Sequence, residues 1–433
     1  MALPEADRSF LQHIVPFEKG EGAAVVWSCA YFFFLLSSYY VIRPLRDAMG
    51  VARSDETLTW LYMGTLLGTL IANPIFSFLV SRFPRRVFLP VVYHVLALCL
   101  VTFWVLLRFL PPEGAKAVAG VFFVWASVFN LFAVSVFWGF MADLYRSDQG
   151  KRLFGFIGVG GTLGALAGAQ LTKSLAAPLG PVNLVLGAAL ILEAAVFCMR
   201  RLLRLFHVDE GSSRDPGRPP GRGVLEGIRL VSKSPYLLGI CLFLLLYSIS
   251  STFLYFEQAR IVRAAFTDPA AKTAYFANID FWANLVTAIT QVLLTGRILS
   301  RLGITTGLSA LPVVTAGALA AVAAAPTAAM MTIVQVVRRS TEFAVVRPSR
   351  EVLYTVTTRE EKYASKSLID TFVYRGGDAI GAWTDQLLKA LNVAMGTLAA
   401  IFVPVAVGWV ALAAFLGRRQ RALAGDVPLS AKR

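Results

Sequence analysis

Arg338-Arg339-Ser340-Thr341-Glu342, then Arg347-Pro348-Ser349-Arg350-Glu351, then Arg359-Glu360-Glu361-Lys362, then Asp370, Arg375 and Asp378: this stretch decides the reading of the chain. It predicts a charged helix, a short polar loop and a second charged helix, with apolar sequence on both sides. One charge at the centre of a bilayer costs at least about 2.5–3.5 kcal/mol. A chain that keeps so many uses them in a pathway or a binding site. The remaining sequence reads as scaffold around them.

Composition agrees. Hydrophobic residues make up 57% of the chain and charged residues 15%, which excludes an ordinary soluble protein and indicates a polytopic helical membrane protein. The formal net charge is +15. Cytoplasmic loops that collect Lys and Arg account for it. No basic module with interleaved aromatics stands outside the apolar runs, so a nucleic-acid polymer is not an expected partner. Cys29, Cys99, Cys198 and Cys241 each sit alone in apolar sequence and read as small buried hydrophobes. His13, His94 and His207 are scattered. Neither set has metal-ligand spacing, and no nucleophile–base pair is visible. No metal, cofactor or enzymatic activity is expected. The first apolar run starts near Ala23 with no small-residue cleavage site after it, so it reads as a retained helix and not as a cleavable signal.

Twelve apolar runs are long enough to span a hydrocarbon core. They lie near Ala23–Ile42, Thr57–Val80, Val87–Leu110, Ala117–Leu144, Leu153–Leu175, Val182–Met199, Tyr236–Phe256, Tyr275–Leu294, Thr305–Ala324, Thr327–Val346, Ser367–Ala390 and Val393–Leu416. Alternate loops are basic: Arg82, Arg85 and Arg86; Arg146, Lys151 and Arg152; Arg297 and Arg301; Arg359 and Lys362; and the tail Arg418, Arg419 and Arg421. Both termini are therefore expected in the cytoplasm, in a bacterial inner (cytoplasmic) membrane. The segment Asp209-Glu210-Gly211-Ser212-Ser213-Arg214-Asp215-Pro216-Gly217-Arg218-Pro219-Pro220-Gly221-Arg222 has the composition of a flexible linker. The expected organisation is an N-terminal six-helix half over 1–205, a cytoplasmic linker over 206–232 and a C-terminal six-helix half over 233–433. An all-α membrane protein with twelve transmembrane helices in two halves follows the plan of the major facilitator fold. In that plan substrate binds near the midplane and rocking of the halves alternates access. Such a protein works as a monomer in the bilayer.

The charged helices supply the candidate residues. Arg338 and Arg339 fall about 18 Å along a helix that starts after Pro326. Arg339, Glu342, Arg347 and Arg350 share one broad face at 3.6 residues per turn. Glu342 can pair with Arg338 at i,i+4 or Arg339 at i,i+3, which leaves positive charge over. Guanidinium forks suit phosphate or carboxylate oxygens. The other reading is snorkelling from a shorter span, or internal pairing with acids of the next helix. There, Asp370, Tyr374, Gly377, Asp378, Gly381 and Asp385 lie on one third of the circumference, and the glycines permit close helix approach. Asp370 and Asp378 read either as proton, cation or gating groups or as halves of salt bridges, for instance to Arg375. In the first run, Tyr39-Tyr40-Val41-Ile42-Arg43-Pro44-Leu45-Arg46-Asp47 places a helix-breaking or kinking proline among Arg43, Arg46 and Asp47. Tyr39 and Tyr40 stack on a flat ring in one reading and form an interfacial belt in the other. Glu257, Arg260 and Asp280 are candidate outer gate charges, the alternative being exposed loop charge. Glu193 stands without an obvious partner and reads as structural. Gly160, Gly164 and Gly168 recur every four residues, a helix-packing face and not a phosphate loop, since no strand precedes them and no Gly-Lys-Ser/Thr comes after.

Three stretches resemble the ATP/ADP translocase-type nucleotide transporters of plastids and obligate intracellular bacteria. Ile42-Arg43-Pro44-Leu45-Arg46-Asp47 resembles that family's Leu-Arg-Asp-Thr-Lys-Asp segment. Trp138-Gly139-Phe140 with Asp148-Gln149-Gly150-Lys151-Arg152 resembles Trp-Gly-Phe-Ala-Asn and Asp-Glu-Ala-Lys-Arg. Arg347-Pro348-Ser349-Arg350-Glu351-Val352-Leu353-Tyr354, with Glu360-Glu361-Lys362, Lys366, Ile369-Asp370 and Arg375, resembles Asp-Pro-Thr-Lys-Glu-Met-Ala-Tyr and the family sequence C-terminal to it. The resemblance implies a facilitator-type fold and ATP-for-ADP exchange, with Arg46 and Arg350 in the places of phosphate-binding lysines. Departures are clear. Ala126-Ser127-Val128-Phe129 stands where the family has Glu-Leu-Trp-Gly; Asp378 replaces a Lys; Glu342 and Arg347 replace a Lys and an Asp.

The expected function is therefore secondary active transport of an anionic, nucleotide or phosphorylated solute by alternating access. Arg43, Arg46, Tyr39, Tyr40, Arg338, Arg339 and Arg350 are the expected substrate contacts. Asp47, Glu342, Asp370, Arg375, Asp378 and Asp280 are the expected coupling or gating groups. One alternative is proton-coupled transport of a peptide, sugar or siderophore-like molecule. Another is a non-transporting receptor or assembly subunit.

Overall fold

A computed structural model describes residues 21–83, 85–145, 147–206, 224–358, 361, 365–366 and 368–426. The linker sequence 207–223, Arg359, Glu360 and Lys362, and the side chain of Asp370 lie outside what is described. All regular structure among the described residues is helical. The first six helices are α1 (Gly22–Val51), α2 (Asp55–Arg82), α3 (Arg85–Phe109), α4 (Pro112–Leu144), α5 (Ser147–Leu179) and α6 (Pro181–Leu205). They are followed by α7 (Val224–Lys233), α8 (Pro235–Ala265), α9 (Pro269–Thr290), α10 (Gly303–Ala324), α11 (Ala328–Thr341), α12 (Arg347–Leu353), α13 (Tyr374–Ala390) and α14 (Met395–Asp426). Each apolar run of the sequence contains a helix, and among the described residues eight helices are long and apolar enough to cross a membrane.

Local chemistry sets the ends. Proline opens α4, α6 and α8, where its missing N–H costs nothing. Ser234 and Thr327 cap α8 and α11 by accepting from Leu237 N and Met330 N. Gly180 and Gly303 take positive φ, 78° and 80°, at the α5–α6 and α9–α10 turns, a conformation that favours glycine. Pro44 does not break α1, which runs on to Val51. Only one helix hydrogen bond is lost there, and neighbouring helices support the rest. The end of the linker stretch is helical too, since Val224–Lys233 forms α7 and Val231 packs into a core of the second half.

Two compact units emerge. The first holds Met1–Met49, Ile71–Arg218 and Asp268–Phe281; the second holds Gly50–Leu70, Pro219–Thr267 and Trp282–Arg433. In the first, an aromatic core centres on Tyr31, Phe32, Tyr93 and Phe137, with Phe32 stacked on Phe137 at 4.1 Å. The glycine face of α5 lies on α1. A Cβ at Gly160, Gly164 or Gly168 would strike the backbone of Cys29, Phe33 or Ser37 in turn. Ser37 Oγ donates to Gly164 O at 2.9 Å across the same contact. Four-residue spacing on both helices is what brings these positions into one seam. In the second unit, Phe243, Leu244, Leu308, Leu353 and Trp409 form the main core.

Candidate functional site

The second unit carries a buried polar seam built from α8, α11 and α13. Arg338 lies in the last turn of α11 and is 3% exposed. Its Nη2 donates to Ser251 Oγ at 2.9 Å, and its guanidinium sits 5.8 Å from the Tyr247 ring centroid. Its Nε and Nη1 are buried and meet no hydrogen-bond partner among the described residues. One turn earlier, Gln335 Nε2 donates to Gln258 Oε1 at 2.9 Å, both side chains buried. One turn later, Glu342 is buried as well.

At Glu342 the helix widens into a π turn over Glu342–Val346 before α12 begins. Its i→i+5 bonding rotates α12 off the 3.6-residue register of α11. Arg350 is consequently buried, whereas Arg347 is exposed and lies over the Phe343 ring. The single broad face expected for Arg339, Glu342, Arg347 and Arg350 is split, with Arg347 turned out of it.

A second π turn, Leu368–Val373, leads into α13. Asp378 is buried and accepts from Ser248 Oγ at 2.6 Å, Thr252 Oγ1 at 3.1 Å and Arg375 Nη1 at 3.2 Å. The α8 backbone comes this close because Gly377 and Gly381 have no side chains. A Cβ at Gly377 would lie 2.7 Å from Ser248 Cβ, and one at Gly381 2.9 Å from Ile249 O. Tyr247 and Tyr374 face each other at 6.0 Å.

In the first unit the α1 residues form a charge-balanced group. Arg43 pairs with Asp280 at 3.3 Å. Arg46 donates from Nη1 to Asp47 at 2.8 Å and from Nε to Phe123 O at 3.2 Å, with its guanidinium 3.9 Å from the Phe123 ring centroid. The i,i+4 spacing of Arg43 and Asp47 does not become their pairing. The tertiary neighbours Asp280 and Phe123 redirect both arginines. Tyr40 lies under Arg43 at 5.6 Å, and Tyr39 stacks near-parallel to Phe129 at 6.4 Å.

Sequence reasoning singled out Glu257, Arg260 and Asp385 but not the cluster they join. Asp55, the first residue of α2, pairs with Arg260, Arg263 and Lys389. Arg260 also takes Asp385 and Glu257. Three acids meet three bases, all in the second unit and all at one end of α2, α8 and α13. The spacing Glu257, Arg260, Arg263 and the i,i+4 pair Asp385, Lys389 were visible signals; the arrival of Asp55 was not. Glu193 likewise has a partner the sequence did not announce. His94 Nδ1 lies 2.8 Å from its Oε1, and His94 Nε2 lies 2.8 Å from Arg200 Nη2.

The sequence model of the Major Facilitator Superfamily matches residues 23–358. The chain belongs to this superfamily. As a member it is a multi-pass membrane protein. It is similar to ADP,ATP carrier protein 1 of Chlamydia trachomatis, 23% identical over 64% of this chain and 60% of that one. ADP,ATP carrier protein 2 of Chlamydia pneumoniae is 20% identical over 97% of this chain and 93% of its own length. The chain spans about three fifths of the length of the chlamydial carrier proteins 1. Among solved structures, the nucleoside transporter NupG superposes with TM-score 0.61 at 10% identity, covering 92% of this chain and 99% of that one. A D-xylose-proton symporter gives 0.60 at 12% identity, covering 91% and 96%. These two share the facilitator fold with the chain.

Proposed function

We propose that the chain is a secondary active transporter of an anionic, nucleotide or otherwise phosphorylated solute, exchanging one such anion for another by alternating access. The observation that carries this reading is Arg338, buried with two N–H groups that no described residue accepts. Buried guanidinium donors are ordinarily satisfied, and a phosphate or carboxylate would supply the missing acceptors. Pairing elsewhere supports it: the α1 and α2 clusters neutralise themselves, and Asp378 of the seam is taken by Arg375. The names of the chlamydial relatives favour a nucleotide.

In this reading Arg338, Arg339 and Arg350 are the substrate contacts of the second unit, and Arg43, Arg46, Tyr39 and Tyr40 of α1 are those of the first. Asp47, Glu342, Asp370, Arg375, Asp378 and Asp280 serve coupling or gating. Residues 1–205 and 233–433 are the two halves and 206–232 their cytoplasmic linker. The protein sits as a monomer in a bacterial cytoplasmic membrane with both termini inside. Any nucleotide is cargo and not fuel. The test is uptake of labelled ATP and ADP into proteoliposomes preloaded with ADP, phosphate or nothing. Uptake that requires internal nucleotide supports exchange; no uptake by folded protein removes the nucleotide as cargo.

A second reading, proton-coupled transport of another solute, draws on Asp378. A buried carboxyl with three donors around it is a candidate proton carrier. Uptake driven by a pH gradient alone would favour it.

A further inference from the structure

Two rungs join α8 to α11. Ser251 accepts from Arg338, and Gln258 accepts from Gln335, each at 2.9 Å. An amide offers two N–H donors and one carbonyl with two lone pairs. A single amide–amide hydrogen bond therefore leaves an N–H on one glutamine and a carbonyl oxygen on the other unused. The same holds with both amides turned over, so the result does not depend on how their O and N atoms are assigned. A bond kept only to join two helices has no need of this surplus in a buried seam. One turn along α11, Arg338 adds two buried N–H groups with no partner among the described residues. The Gln335 amide, bonded to Gln258, and the Arg338 guanidinium thus lie on neighbouring turns of α11, facing α8. By helical rise, Gln335 and Arg338 are about 4.5 Å apart along α11, and Ser251 and Gln258 about 10.5 Å apart along α8. A single small molecule covers that span.

We propose that Gln258 and Gln335 form a hydroxyl-reading subsite beside Arg338: the guanidinium takes an anionic oxygen of the solute, and the two amides take hydroxyls of the sugar bonded to it. This rests on the anionic, phosphorylated solute of the preceding reading and adds the sugar to it. A hydroxyl is donor and acceptor at once, so a pair of neighbouring hydroxyls satisfies both the free N–H and the free carbonyl. A second phosphate or carboxylate, acceptors only, would set lone pairs against the carbonyl oxygen. An apolar group would strand both amides. A site built to hydrogen-bond a hydroxyl discriminates strongly against the analogue that lacks it, because its own buried groups are then left unpaired.

The test measures thermal unfolding of the purified protein in detergent against five probes: inorganic phosphate, ribose 5-phosphate, 2-deoxyribose 5-phosphate, ATP and 2′-deoxy-ATP. Apparent affinities come from the concentration dependence of the midpoint. The wild type should bind ribose 5-phosphate at least about tenfold more tightly than its deoxy analogue, a conservative figure for a lost hydroxyl contact. Gln335→Met and Gln258→Met should bring that ratio close to one while the response to inorganic phosphate stays. The wild-type ratio needs no variant to fold. A wild-type ratio of one overturns the proposal, as does a ratio unchanged in both variants. So does a protein that answers to phosphate but to neither sugar phosphate, or to none of the five. A ribose preference without any response to ATP upholds the subsite and removes the nucleotide reading alone.

Discussion

Asp385 receives both terminal nitrogens of Arg260, Nη1 at 2.9 Å and Nη2 at 2.8 Å. The aspartate side chain is 1% exposed and the arginine 29%. This two-pronged geometry is the strongest form an ion pair takes. The same guanidinium reaches Asp55 and Glu257, so one side chain ties α2 to α8 and α13.

Replacing Arg260 with Ala therefore uncovers a buried carboxylate. The expected loss is about 3 kcal/mol, the low end for breaking a buried pair, since Arg260 is partly exposed. Thermal unfolding in detergent reads it. Arg260→Lys keeps the charge but not the fork and should fall between wild type and Arg260→Ala. An unchanged midpoint in the alanine variant would show that the cluster holds nothing together.

The α1–α5 seam makes a sharper contrast. Gly164→Leu would drive a side chain into the Phe33 backbone, and no rotamer avoids the Cβ itself. Loss of folded, monodisperse protein is expected on size-exclusion chromatography. Gly139→Ala and Gly187→Ala, with nothing within 4 Å of the added Cβ, should fold normally and gain up to about 1 kcal/mol from helix propensity. Equal behaviour of the three variants would contradict the packing described for α5.

Arg338 separates stability from function. Its two unpartnered buried N–H groups each cost about 1–3 kcal/mol. Arg338→Met removes them, so the variant should unfold at the same temperature as the ligand-free wild type or higher, while transport disappears. A site kept for function at the expense of stability behaves this way. A variant that both unfolds early and transports normally would make Arg338 a structural residue.

Asp378→Asn tests the second role in the seam. The amide oxygen can still accept from Ser248 and Thr252, but it neither carries a proton nor answers the charge of Arg375. Exchange of internal for external anion should survive in proteoliposomes. If wild-type uptake follows a pH gradient and the variant loses that drive, proton coupling through Asp378 takes the place of simple exchange.

Much of the architecture is legible in the amino-acid order. Every apolar run holds a helix, because twenty apolar residues leave the backbone no other way to satisfy its polar groups in lipid. The recurrence of Gly160, Gly164 and Gly168 announces a packing face, and α1 occupies it. The i,i+3 spacing of Arg375 and Asp378 announces a pair that does form. Other local rules are overridden. Arg43 and Asp47 have the right spacing, yet each finds a different partner. Arg347 leaves the face it shares on an ideal helix because a π turn intervenes. Glu193 gains His94 from a helix about a hundred residues earlier.

The sequence by itself determined that this is a helical membrane protein, where its helices lie and which of them carry charge. Those properties depend on hydrophobicity and on a 3.6-residue repeat, both written along a single segment. Only the tertiary structure decided which charges neutralise one another and which do not. It set Asp55 against Arg260 and Lys389, gave Arg43 to Asp280 and left two donors of Arg338 without a partner among the described residues. Pairing depends on distances of a few ångströms between helices hundreds of residues apart in the chain, and helical periodicity carries no information about those distances.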